Sequence, residues 1–189
     1  KELTMSEKRR NIVFDFTELE EKIKYTFTDK KLLYNALCHS SYSNERKHEN
    51  IASNERLEFL GDSVIYIVAS EHLYKTFAGK PEGELSTLRR EIIDSAALES
   101  FARKIDLGSY MFFGNGEEKN GGRERRSNLE DAFEALVAAI YLDGGFEAAL
   151  GFVSTFVLVD IPVVKFHNTD YKTALQEKIQ QKKNQTLSY

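Results

Sequence analysis

The run Ala132–Leu142, AFEALVAAIYL, holds one charged side chain in eleven residues, Glu134. A helix built from it is apolar all the way round, so it belongs inside a core. A carboxylate there must be neutralised, paired or bound to a cation, since burying a lone charge costs on the order of several kcal/mol. Asp131 stands three positions earlier, on nearly the same helical face. A second set of acids, Glu55-x-x-Glu58-x-x-x-Asp62, opens another segment that turns apolar. Two buried helices that each bring carboxylates point to a hard-metal site.

The composition fits an all-α chain. With 189 residues, 41% of them hydrophobic, the length suits one ordinary domain plus an appendage. There is no Trp, and the two prolines are Pro81 and Pro162. No apolar run approaches the ~18 residues of a membrane span, so no membrane partner is expected. Lys1–Arg10 is polar and lacks the apolar stretch of a signal peptide. Cys38 stands alone, which forbids an internal disulfide and makes a reducing, cytoplasmic setting the expectation. A net charge of −4 argues against a nucleic-acid partner. The charge is uneven, however. Residues 165–189 carry five Lys against Asp170 and Glu177, which leaves 21 basic and 28 acidic residues in the remainder. An acidic body with a basic tail is compatible with a polyanion once metal ions neutralise the acidic site.

The pattern predicts a succession of helices. Thr17 and Glu20 form a capping box, and Thr28-Asp29 caps a second helix. Residues 43–52 read as a polar loop. Ser53 or Asn54 caps a long helix to about Tyr74, and a turn follows at residues 79–84. Helices are expected over 85–93 and 95–104, with Gly108 as a stop. The stretch 114–126, GNGEEKNGGRERR, reads as a charged loop. Ser127 and Glu130 form a capping box for a helix over 128–142, ended by Gly144-Gly145 and followed by a last helix over 146–159. Residues 161–169 read as a linker and 170–183 as a further helix, basic on one side.

On a helical wheel with Glu55 at zero, Glu58 and Asp62 fall within an arc of about 60°. Leu57, Leu60, Val64, Ile67 and Val68 lie on the opposite side, as a core stripe. Ile65, Tyr66 and Ala69 continue the acid arc, which therefore becomes apolar a turn or two later. Gly61 costs roughly 1 kcal/mol relative to Ala inside a helix, so it reads as a site of close helix–helix approach. The alternatives are plain: solvated acids on an amphipathic helix, a buried Arg paired with Glu134, or Asp131 as a first-turn dipole partner. If the acids converge, magnesium or manganese suits the all-oxygen set. A di-iron bundle needs two Glu-x-x-His motifs, and only Glu45–His48 has that spacing. One Cys and no paired His speak against zinc, and no Walker or dinucleotide-binding glycine motif is present.

The stretch Asn54-Glu55-Arg56-Leu57-Glu58-Phe59-Leu60-Gly61-Asp62-Ser63 resembles the signature of bacterial ribonuclease III. Further matches follow in order over about residues 16–159: His39-Ser40-Ser41-Tyr42, Glu82-Gly83-Glu84-Leu85-Ser86, Gly114-x-Gly116-Glu117, and Asp131-x-x-Glu134-Ala135 running to Gly144-Gly145. Residues 170–177 resemble the first helix of a double-stranded-RNA-binding domain.

The resemblance implies an all-helical endonuclease domain over 1–160, the linker, and an incomplete α/β RNA-binding domain over 170–189. It implies a homodimer that hydrolyses double-stranded RNA, in rRNA and mRNA processing, to 5′-phosphate and 3′-hydroxyl ends. Mg2+ (Mn2+ substituting) would be held by the catalytic acids Glu58, Asp62, Asp131 and Glu134. Glu55 and Glu82 would line the cleavage valley as substrate-positioning groups. Phe59, beside the acids on the wheel, would plug into the second subunit. Thr173, Gln176, Glu177 and Gln180 would contact RNA, with Arg89, Arg90, Arg123, Arg125 and Arg126 as candidates for phosphate. Glu130 stands where the family often has a small residue, and is assigned to the capping box. A non-catalytic RNA-binding protein on the same fold is the competing class; the presence of all six acids argues for activity.

Overall fold

The structure, a computed structural model, describes residues 15–158. Along them run α1 (Thr17–Ile23), α2 (Lys30–Ala36), α3 (Ser40–Glu45), α4 (Glu55–Thr76), α5 (Glu82–Ile92), α6 (Ser95–Lys104), α7 (Leu107–Tyr110), α8 (Asn115–Lys119) and α9 (Arg126–Val153). Among the described residues there is no strand, only an isolated bridge between Cys38 and Phe112. The all-α reading holds. The linker and the RNA-binding segment, with Thr173, Gln176, Glu177 and Gln180, lie outside the described residues.

The apolar run becomes the central helix. In α9, Ala132, Phe133 and every residue from Ala135 to Ile140 are fully buried, packed chiefly against α4 and then against α6 and α2. The helix with its π-turn, Arg126–Leu158, is long and apolar enough by length and composition to cross a membrane. That length is reached only by taking two helices together across Gly145. The stretch Ala135–Ile140 is covered by neighbouring helices, whereas Leu142 is 51% exposed. Gly145, at φ 79°, breaks the helical path where a stop was expected.

Several local expectations gave way to tertiary partners. The amide of Thr17 bonds Asp15 Oδ1 at 3.0 Å. Glu20 reaches away from its own helix start to accept from the Phe27 amide at 2.7 Å and from Lys30. Asp29 caps α2 as expected, accepting from the Lys31 amide at 2.9 Å. Helix α3 and a 3₁₀ turn, Lys47–Glu49, occupy much of the expected loop. Helix α6 ends at Lys104 as expected, but Gly108 is not its stop and lies inside the next helix, α7. The charged loop contains α8 and a 3₁₀ turn at Gly122–Glu124, folded around Arg123.

Helix α4 buries Leu57, Val64, Val68 and Leu73, and also Ile65 and Ala69 beyond the acids. Ile67, expected in the core, is 56% exposed. It lines a shallow groove with Tyr74, Leu85 and Arg89, because α5 does not close over that flank.

Candidate active site

Gly61 sets the crossing of α4 and α9. A Cβ at that position would fall 1.8 Å from the backbone oxygen of Glu134, so the two helices meet there backbone to backbone. Glu58 and Asp62 are the residues one turn before and one position after this contact on α4. Asp131 and Glu134 face them from α9. Four acids from two helices are thereby gathered around one crossing.

Their electrostatics follow from the crowding. Burial raises Glu58 above the usual carboxylate range, helped by the charges of Glu55, Glu130 and Asp62. Asp62, the most open of the four, is raised by burial. Asp131 is pushed up to about 6, first by burial and then by Glu58, Glu130 and Glu55. Glu134 is pushed up to about 8 by burial, and then by Asp62, Glu130, Glu58 and Asp131. No basic side chain is among the charges acting on any of them. The buried-Arg alternative for Glu134 therefore falls. So does the dipole role for Asp131, which stands five residues into α9, beyond its first turn.

Carboxylates brought together without a counter-charge repel one another, and a hard divalent cation would relieve that repulsion. The donor set fits: oxygen only, from rigid helices, with no competing base. Among the described residues, no three acidic, His or Cys side chains converge closely enough to enclose an ion unaided. Such an ion would keep water or substrate oxygens among its ligands, as magnesium does.

The family profile described as Ribonuclease-III-like matches residues 29–161. The chain belongs to the ribonuclease III family. As a member of it, the protein is an endoribonuclease. It is 43% identical over 176 residues to Ribonuclease 3 of Oceanobacillus iheyensis, covering 93% of this chain and 77% of that protein. It is 49% identical over 175 residues to Ribonuclease 3 of Caldanaerobacter subterraneus, covering 92% and 76%. Its fold is similar to a nuclease domain of ribonuclease III from Campylobacter jejuni, with a TM-score of 0.73 and 38% identity over 79% of this chain and all of that one.

Against the ribonuclease III pattern, the other expected residues divide. Glu55 is exposed, takes a hydrogen bond from Ser53 Oγ at 2.8 Å, and adds its charge to the acid site. Glu82 starts α5, bonds Ser86 Oγ at 2.6 Å and borders the groove beside Ile67 and Tyr74. Its charge is not among those acting on the four acids. Phe59 is 79% exposed, on the flank of α4 next to the acids.

The arginines are mostly engaged. Arg123 spans the carbonyls of Gly108, Ser109 and Met111 at 2.8, 3.1 and 2.9 Å and pairs with Glu118 at 2.6 Å, which makes it a fold-building residue. Arg125 pairs with Glu117 at 2.6 Å. Arg89 donates to Ser70 Oγ at 2.8 Å. Arg90 is exposed.

One residue close to these acids has a partner other than the one its sequence pattern suggests. Helix α9 begins at Arg126, so Ser127 lies within it and caps nothing. Glu130 is released from the capping box and bonds Ser95 of α6. Its spacing four before Glu134 was the available clue.

Proposed function

We propose that this protein cuts double-stranded RNA by magnesium-dependent hydrolysis of phosphodiester bonds, leaving 5′-phosphate and 3′-hydroxyl ends. The observation that carries the reading is the set of four carboxylates from α4 and α9, each raised in pKa, with no basic partner. Glu58, Asp62, Asp131 and Glu134 would hold Mg2+, with Mn2+ able to substitute. When bound, such an ion activates water and stabilises the leaving oxygen. The chain's own part is to keep the carboxylates pre-positioned on two helices locked at Gly61, and to keep basic side chains away from them. Glu55, at the exposed edge, is placed to orient substrate through its hydroxyls, and Glu82 is assigned the same role from α5. Duplex RNA would be read by shape, phosphate and 2′-hydroxyl.

The active form would be a homodimer. Phe59 exposes a large apolar ring beside the acids, a surface that asks for a partner. The Campylobacter jejuni relative is itself described by a region involved in dimer formation. Two sites across such a dimer would cut both strands. Thr173, Gln176, Glu177 and Gln180 are assigned to RNA contact through the segment after the linker. The setting would be the cytoplasm, with rRNA and mRNA precursors as substrates.

Labelled duplex RNA with Mg2+ at low salt tests the reading, comparing the protein with Glu134→Gln. Loss of cutting with duplex binding retained is expected. Undiminished cutting by the variant would remove Glu134 from the site. Binding without cutting by either protein would favour a non-catalytic RNA-binding role.

A further inference from the structure

Glu130 is held in place from outside the four-acid set. It stands on α9 four residues before Glu134, on nearly the same helical face, and next to Asp131. Ser95, the first residue of α6, donates its hydroxyl to Glu130 Oε2. Ser95 Oγ in turn accepts from Arg126 Nε at 3.1 Å. Arg126 thus ends on the serine and on Glu99, at 3.8 Å. Among the described residues, Glu130 itself has no ion pair, so its charge is not cancelled.

Its second carboxylate oxygen stays outside the relay, and its field reaches Glu58, Asp131 and Glu134, three of the four acids. A side chain serving only as a brace between α6 and α9 could be neutral. This one adds negative charge where negative charge is already in excess, a cost that a bound cation would offset.

We propose that Glu130 is a fifth carboxylate of the cation site, fixed by Ser95 and acting across solvent to raise the site's affinity for a divalent cation. The proposal rests on the reading above that the site takes Mg2+.

Mg2+ titrated into the full chain without RNA, followed by calorimetry and by the rise in Tm, tests it. Glu130→Gln keeps an oxygen for Ser95 and removes the charge. It should weaken Mg2+ binding about fivefold, as expected for one charge roughly 9 Å from a divalent ion at the dielectric constant of water. It should also raise the Tm of the cation-free protein, where loss of a brace would lower it. Glu18→Gln is the control: Glu18 pairs with Lys22 at 2.9 Å within α1, outside the relay, and its loss should leave Mg2+ affinity unchanged. If the parent binds Mg2+ and Glu130→Gln binds it equally well, Glu130 is only a brace and the reading of the site stands. If the parent binds no Mg2+, the site reading fails and this proposal with it.

Discussion

The backbone oxygen of Glu134 fills the space that a side chain at Gly61 would need: a Cβ there would fall 1.8 Å away. The residue that carries the most perturbed carboxylate of the site is thus also the residue against which α4 is docked. Fold and site share one contact.

Gly61→Ala should therefore cost about 3 kcal/mol or more, since the clash is with backbone and cannot be relieved by a rotamer change. Gly83, an exposed glycine of α5 with open space around its Cβ position, gives the contrast. Gly83→Ala should stabilise by roughly 0.5–1 kcal/mol. Urea midpoints of the two variants check both.

The acids make stability depend on pH. Folding raises Asp131 from 3.8 to about 6 and Glu134 from 4.5 to about 8. The folded state then binds more protons than the unfolded chain between those values, so cation-free stability is greatest below the lower limits and falls as pH rises through the upper ones. In EDTA, Tm should decline from pH 5 to pH 8. Glu134→Gln should flatten the part above about pH 6, and Mg2+ should restore Tm at pH 8. A flat profile in the parent would show that the acids carry no such strain.

Arg123 predicts a loss of stability unrelated to RNA. Arg123→Ala leaves three carbonyls of the α7 region without their donor and should destabilise by about 2–3 kcal/mol. Lysine should not rescue it, because a single ammonium cannot reproduce the planar fork. Arg90→Ala should leave the unfolding free energy within about 0.5 kcal/mol of the parent. Thermal denaturation of the three variants distinguishes the roles.

Phe59→Ala should leave the monomer's own fold nearly unaffected, since the ring is 79% exposed. Its effect should appear in sedimentation velocity, as a shift from dimer towards monomer. A variant that stays dimeric at the same concentration would assign the ring another purpose.

Much of the site was legible because periodicity carries it. Glu58, Asp62, Asp131 and Glu134 stand at helical spacings in segments whose other residues are buried. What was misplaced depended on partners distant in sequence. Glu20 satisfies Phe27 and Lys30 in place of its own helix start, and Glu130 turns to Ser95, 35 residues away. Thr17–Glu20 and Ser127–Glu130 each have the spacing of a capping box, and tertiary hydrogen bonds overrode it. Ile67 fitted the core stripe, but its outward place depends on where α5 ends its cover. The stretch around Arg123 looked like a loop from its glycines; it folds because one guanidinium gathers its carbonyls.

Asp143, at the end of the apolar stretch, takes hydrogen bonds from the Tyr25 hydroxyl at 2.7 Å and from the amides of Thr28 and Asp29 at 2.9 and 2.8 Å. These contacts join residues more than a hundred positions apart. On a ribosome, the start of α2 waits for nearly the whole domain to be synthesised before its last acceptor arrives. The early helices must spend that interval without the core helix that covers them, exposed to chaperones and proteases. The anchoring of α2 is an event in time, and Asp143 marks the earliest point at which it can occur.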